Sequence, residues 1–412
     1  MKARSPVALA GLLALGVVAA AAEEPAPPRE PTRRPGRIAV GPFYVTARLY
    51  VESLGFDSNV FQTATQRQAD FVAAGGPGLE IVLPARPLTV SAEGRLHSLY
   101  FVRSRGQRRM GGTVRGRLEW GAGRVRASLE EVYEQRFERL GYELDARVLR
   151  ETRTTRGQVQ LRLGRWRVQT TVAGERFRLP DAHTYLGTDL RRTLSRNSRR
   201  LAGELRLRLS AKTSVLVGGD RLDPRFIFAS QRDFTSTRAY GGLVLDSETR
   251  LAGRVRGGAV RSAQIEGSER QATWYADVDL TWHFGPRTRA RARLGRDLLL
   301  SAFDVAGGLP ALLQTEQRGR IERDVTPLLD LGLWAARVGL TTRGAVTLDQ
   351  PQAGTQRSRR ADTLWQVGAE LGFRPRDGLR VALNGGITSR RSSFADLGIE
   401  GLLLGVAVTF VP

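Results

Sequence analysis

Trp274 to Arg296 reads W-Y-A-D-V-D-L-T-W-H-F-G-P-R-T-R-A-R-A-R-L-G-R. Ala276, Val278, Leu280, Trp282 and Phe284 share one parity, and Tyr275, Asp277, Asp279, Thr281 and His283 share the other. Beyond Gly285-Pro286 the alternation resumes, with Ala290, Ala292 and Leu294 against Arg289, Arg291 and Arg293. A period of two is the signature of a β-strand, whose successive side chains point to opposite faces. The Gly-Pro joint makes the pair a hairpin. Folding about it sets Asp279 opposite Arg293 and His283 opposite Arg289, so charges complement across the strands. Such a hairpin suits a soluble sandwich with its charges in bulk water. It equally suits a membrane barrel with apolar residues toward lipid and charges toward a wet lumen.

The rest of the chain separates the two. The 412 residues hold 64 Lys plus Arg against 41 Asp plus Glu, a formal charge of +23. Nearly all the cations are Arg; Lys occurs only at Lys2 and Lys212. The arginines are spread along every strand rather than clustered, which argues against nucleic acid and for a basic lumen or a surface facing anionic headgroups. The absence of Cys excludes disulfides, thiolate metal sites and a lipid-anchored N-terminus. Lys2 and Arg4, the apolar run Val7 to Ala19, and Ala20-Ala21-Ala22 predict a secretory signal peptide over 1–22, cleaved after Ala22. Residues 23–41 read as a Pro-rich periplasmic linker without packing capacity.

Residues 42–412 repeat one pattern of strand, short turn, strand and longer loop. About eighteen strands with eight short turns and nine longer loops predict a transmembrane antiparallel outer-membrane β-barrel. Aromatics gather beside the short turns (Trp120, Trp166, Trp282, Phe284, Trp334, Phe373 and Phe410), as an interfacial girdle requires. Leu402, Leu404, Val406, Val408 and Phe410 share a face, with Gly405 set back from the aromatic. This resembles the C-terminal strand by which barrels are recognised for assembly, and it assigns Gly405, Val408 and Phe410 to that role. Val411 and Pro412 after the aromatic, and Leu403 at a usually polar position, depart from the pattern.

Gly55-Phe56-Asp57-Ser58-Asn59-Val60-Phe61 reads as a loop whose Asp and Asn side chains bond their own backbone. With Gly76-Pro77-Gly78-Leu79 it also resembles the β-barrel porin type 2 family, outer-membrane β-barrels of exopolysaccharide loci. The resemblance in strings covers Pro42 to Leu83. It implies export of a polysaccharide through the outer membrane, with separate periplasmic export proteins as partners.

No catalytic constellation stands out, and no cofactor or metal is expected. His97, His183 and His283 lie far apart without ligand spacing. The functional residues are therefore expected in the lumen: Arg115, Arg117, Arg162, Arg206, Arg208, Arg254, Arg256, Asp277, Asp279, Arg289, Arg291, Arg293 and Arg337, with Glu93, Glu119, Glu204 and Glu370 as partners. Arg in excess of carboxylate gives a positive interior that favours anions. No loop appears long enough to constrict the lumen. The expectation is an outer-membrane channel for a polar, anionic solute or polymer, most specifically an exopolysaccharide. Its surroundings would be outer-membrane lipid, lipopolysaccharide and the barrel-assembly machinery. The alternatives are a general or anion-selective diffusion porin and a closed structural or adhesive barrel.

Overall fold

The computed structural model describes residues 37–411 apart from 64–66, 246–249, 266–269, 305–310 and 351–353. The predicted signal peptide and the linker as far as residue 36 lie outside the described residues. The strands in chain order are β1 (Arg37–Val40), β2 (Phe43–Asp57), β3 (Asp70–Ala85), β4 (Leu88–Phe101), β5 (Arg109–Ala122), β6 (Val125–Arg139), β7 (Arg147–Leu163) and β8 (Trp166–Arg178). A short insertion follows, with β9 (Thr184–Tyr185), β10 (Thr188–Asp189) and helix α1 (Leu190–Leu194). Then come β11 (Arg196–Arg208), β12 (Thr213–Phe226), β13 (Phe234–Leu245), β14 (Leu251–Gln264), β15 (Arg270–His283) and β16 (Thr288–Leu300). The last five are β17 (Ala311–Asp324), β18 (Leu329–Gln350), β19 (Gly354–Arg376), β20 (Leu379–Ser392) and β21 (Ile399–Phe410).

From β2 to β21, with β9 and β10 set aside, every strand pairs antiparallel with its chain neighbour, and β21 returns to pair with β2. The result is a closed eighteen-stranded barrel. The hairpin register is the one expected from sequence: Asp279 faces Arg293 and His283 faces Arg289. Several strands run longer than their alternation signals. β18 and β19 continue past a register shift between Thr341 and Ala345 to Gln350 and Gly354. Away from the lipid both faces of a strand are polar, so period two loses its apolar contrast there.

β1 corrects the linker reading. Residues 37–40 fold back at Gly41 and pair with Phe43 to Thr46 of β2. β21 reaches β2 only from Leu49 onward, so β1 covers the part of the β2 edge that the barrel leaves unpaired.

Large apolar side chains stand exposed on the outward parity of strand after strand: Val159 and Leu163, Leu201 and Leu205, Leu331 and Leu333, Leu383 and Ile387. An exposed apolar surface wrapping a closed sheet is built for a bilayer. Trp120, Trp166, Trp282, Phe284 and Phe373 are exposed beside short turns, and Trp282 stacks on Phe284 with centroids 4.8 Å apart. Phe410 lies under the guanidinium of Arg376. Trp334 does not join the girdle. Its parity is that of Asp330 and Val338, and its indole fills the space over Gly368, where a Cβ would meet it at 2.5 Å.

The Asp57-Ser58-Asn59 string locks the seam at the loop end. Asp57 Oδ1 accepts from the Asn59 backbone N–H at 2.9 Å. The buried Asn59 amide donates to the carbonyls of Thr63 at 2.9 Å and Glu400 at 3.0 Å, and its Oδ1 accepts from Thr63 N–H at 3.1 Å. Ser58 and Leu402 exchange two further bonds. Replacing Asn59 by Ala strands two carbonyls and one N–H. The expected cost is about 2 kcal/mol of folding free energy, measured by reversible urea unfolding in lipid vesicles. An unchanged midpoint would remove the string from the seam.

Candidate functional site: a basic mouth and a strapped lumen

Most inward charges are paired. Arg291 Nη2 lies 2.7 Å from Asp279, and Arg254 and Arg256 both reach Asp277. Arg289 and Arg320 share Glu322, while Arg380 bridges Asp330 at 2.5 Å and also engages Glu370. On the other flank Arg48 and Arg95 hold Glu80 and Glu93 at 2.6 Å, Arg115 lies between Glu93 and Glu130, and Arg117 meets Glu119. His97 Nδ1 is 3.4 Å from Glu52. These pairs fix side chains across strands in a wet interior. Among the described residues no group of His, Cys, Asp and Glu is arranged to hold a metal ion.

One sector breaks the pairing. On β7, β8 and β11 the cross-strand partners are Arg162 with Arg167 and Arg167 with Arg206. Arg126 on β6 sits opposite Gln160 of β7, two residues before Arg162. Arg208 follows Arg206 on the same face. Their strands show Val159, Leu163, Trp166, Val168, Leu205 and Leu209 outward, so the arginines point inward. Only Arg206 has a carboxylate, Glu204 at 2.5 Å. Arg126, Arg162, Arg167 and Arg208 have none among the described residues. Like charges directly opposite one another destabilise a sheet. This row sits beside the short turn at Gly164-Arg165, at the mouth of the barrel. Arg126 and Arg167 were not among the residues singled out from sequence. Both lie at lumen parity, and only cross-strand register shows that they join the row.

Arg337 is a correction. It is exposed on the outward parity with Leu331 and Leu333, and its guanidinium lies 5.4 Å from the outward Trp365 ring. The inward neighbours Val338 and Leu340 are buried and pack, with Leu312 and Leu364, against Tyr142. Arg293 keeps its lumen position opposite Asp279 and Arg318.

The opposite end of the lumen is not free of constriction, against expectation. Residues 140–146, between β6 and β7, form a strap across it. The Tyr142 hydroxyl meets Arg318 of β17. Glu143 accepts from Ser301 Oγ at 2.6 Å and Ala302 N–H at 2.7 Å. Arg360 of β19, fully buried, donates to the Glu143 carbonyl at 3.0 Å and pairs with Asp362 at 2.6 Å. Arg390 of β20 binds Asp145 and the Tyr142 carbonyl. β17 lies opposite β6 around the ring, so the strap spans the barrel. An apolar layer seals it: Leu144, Phe177, Leu190, Phe303, Leu348 and Phe394 pack as one buried cluster.

Burial pushes the Glu143 carboxyl above the ordinary carboxylate range, opposed by Arg360 and the bonds from Ser301 and Ala302. Burial likewise raises the Tyr185 phenol, which donates to Asp145 at 3.1 Å.

No family model matches the chain, and no curated protein resembles it in sequence. Among solved structures, the siderophore receptor PirA from Pseudomonas aeruginosa is similar in shape, with 10% identity over 91% of this chain and 81% of that one and a TM-score of 0.48. OpdK from Pseudomonas aeruginosa, solved with vanillate, gives 12%, 90%, 98% and 0.47. PirA from Acinetobacter baumannii gives 7%, 89%, 80% and 0.46.

A carboxyl whose folded pKa is raised stabilises the closed strap fully below its unfolded value. That stability is lost as pH rises through the raised value. Conductance across a planar bilayer is therefore expected to rise as pH is taken above the ordinary carboxylate range, and Glu143→Gln should flatten this rise. A pH rise equal in wild type and variant would exclude Glu143 as its source.

Proposed function

We propose that this protein is an outer-membrane channel for anionic solutes, and specifically an exit route for an anionic, uronate- or sulfate-bearing polysaccharide. The observation that carries the reading is the row of uncompensated arginines at the short-turn mouth. In outer-membrane barrels short turns face the periplasm and long loops face outside, so a polymer arriving from the periplasm meets this row first. Planar guanidinium groups bind carboxylate and sulfate in bidentate fashion, and a positive mouth concentrates polyanions before passage. Beyond the row the paired sector presents alternating charges, a wet wall without a deep trap for either sign. The strap stands at the outer end, where a gate against ingress belongs. The resemblance of Gly55 to Phe61 and Gly76 to Leu79 to the barrels of exopolysaccharide loci supports the same direction of transport. Separate periplasmic export proteins are the partners this reading calls for.

A general diffusion porin would show the arginine row and pass small anions without regard to chain length. The discriminating measurement is flux into vesicles at pH 8.5, comparing an oligogalacturonate with a neutral oligosaccharide of equal length. The oligogalacturonate should pass faster. In the triple variant Arg126→Gln, Arg162→Gln and Arg167→Gln its rate should fall roughly tenfold, about 1.4 kcal/mol, with neutral flux unchanged. Relief of repulsion should also raise the variant's folding stability by roughly 0.5 kcal/mol. Equal loss of both fluxes would mean a damaged pore and would count against an anion-reading mouth.

A further inference from the structure

The outer wall carries arginines that passage through the lumen does not use. On β19 the outward row descends from Arg359 through Trp365 to Phe373, and Trp365 and Phe373 are both exposed. They bracket an apolar stretch that, at about 3.3 Å per residue and a tilt near 40°, covers roughly 20 Å of height. Phe373 stands at the short-turn end. Trp365 therefore marks the boundary on the long-loop side, where indoles settle at headgroup depth.

Arginines cluster at and above that boundary. Arg337 of β18 is the cross-strand partner of Trp365, and Arg391 of β20 is the partner of Thr363, one outward step higher. Arg359 lies further toward the loops on the same face as Trp365. All three are exposed, and none has a carboxylate partner among the described residues. The outward Glu400, opposite Ser389, is held by Arg67 at 2.8 Å. Arg337 and Arg391 flank one strand with a two-residue offset, which sets their backbones about 12 Å apart. An outward arginine in hydrocarbon costs roughly 2–4 kcal/mol at midplane and far less at the interface. Three outward arginines rising from that boundary toward the loops, without carboxylate partners, make sense only against a partner that supplies negative charge there.

We propose that Arg337, Arg359 and Arg391, with Trp365, bind the phosphate groups of a phosphorylated glycolipid headgroup in the extracellular leaflet. This rests on the reading that the long loops face outside. The chemistry fits: guanidinium groups take phosphate oxygens in paired hydrogen bonds, and the apolar belt below Trp365 receives the acyl chains of the same molecule. That continuity selects a lipid over free phosphate.

The test uses the full chain folded in detergent, with bisphosphorylated lipid A as the probe and thermal unfolding as the readout. Wild type is expected to gain stability on titration. The variant carrying Arg337→Gln, Arg359→Gln and Arg391→Gln should need roughly ten times more lipid or greater for half the effect, with bilayer conductance unchanged. Dephosphorylated lipid A should give little stabilisation. Equal binding by wild type and variant would overturn the proposal. So would equal stabilisation by the dephosphorylated lipid, or the full effect from inorganic phosphate at the same phosphate concentration. If the triple variant fails to show heat-modifiable migration, the single Arg→Gln variants provide the same readout in graded form. Because conductance is followed separately, failure here and failure of the channel reading are told apart.

Discussion

Everything in this molecule follows from where its backbone hydrogen bonds go. A sheet that faces hydrocarbon has no water for its edge groups, so each N–H and C=O of the wall must find a partner within the wall. The ring from β2 through β21 meets that demand by closing on itself, and β1 pairs with Phe43 to Thr46 at the end of β2 that β21 does not reach. Closure in turn sorts the side chains. One parity meets lipid and is apolar. The other meets a narrow interior where Arg, Glu and Asp lie within bonding reach of each other.

That interior is divided. Through most of the ring a carboxylate answers each arginine, and the wall is held by cross-strand pairs such as Arg291 with Asp279 and Arg380 with Asp330. At the short-turn end of β6 to β11 the answer is missing for Arg126, Arg162, Arg167 and Arg208 among the described residues, and Arg162, Arg167 and Arg206 face one another in succession. A sheet gains nothing in stability from that arrangement, so its value lies in the field it projects into the mouth. At the far end the strap uses the same chemistry in a drier setting. Arg360 and Arg390 are buried against Asp362, Asp145 and strap carbonyls, where breaking one partner leaves an uncompensated charge.

The barrel was legible in the sequence because period two survives wherever lipid faces one side and water the other. The hairpin around Gly285-Pro286 was readable down to its partners for that reason. Legibility failed where the strap enters. Leu333 to Leu340 carries apolar residues on both parities, because Val338 and Leu340 must pack inward on Tyr142 while Leu333 faces lipid. With the contrast gone, Arg337 and Trp334 were each assigned to the wrong face. The strap itself has no local signal. Its inward course depends on Ser301, Arg318, Arg360 and Arg390, far along the chain, and nothing in the run Leu140 to Ala146 announces them. The arginine row was half visible: Arg162, Arg206 and Arg208 stand at inward parity in the sequence, but only cross-strand register shows that Arg162 and Arg206 both lie opposite Arg167.

The proposed through-path takes its charge from the unpaired arginines of one sector. The reversal potential of the purified protein in a planar bilayer under a tenfold KCl gradient at pH 8.5 tests this. A clear anion preference is expected, with the potential on the chloride side of zero. A cation-selective potential would contradict it, and so would folded protein that carries no current at any pH or voltage.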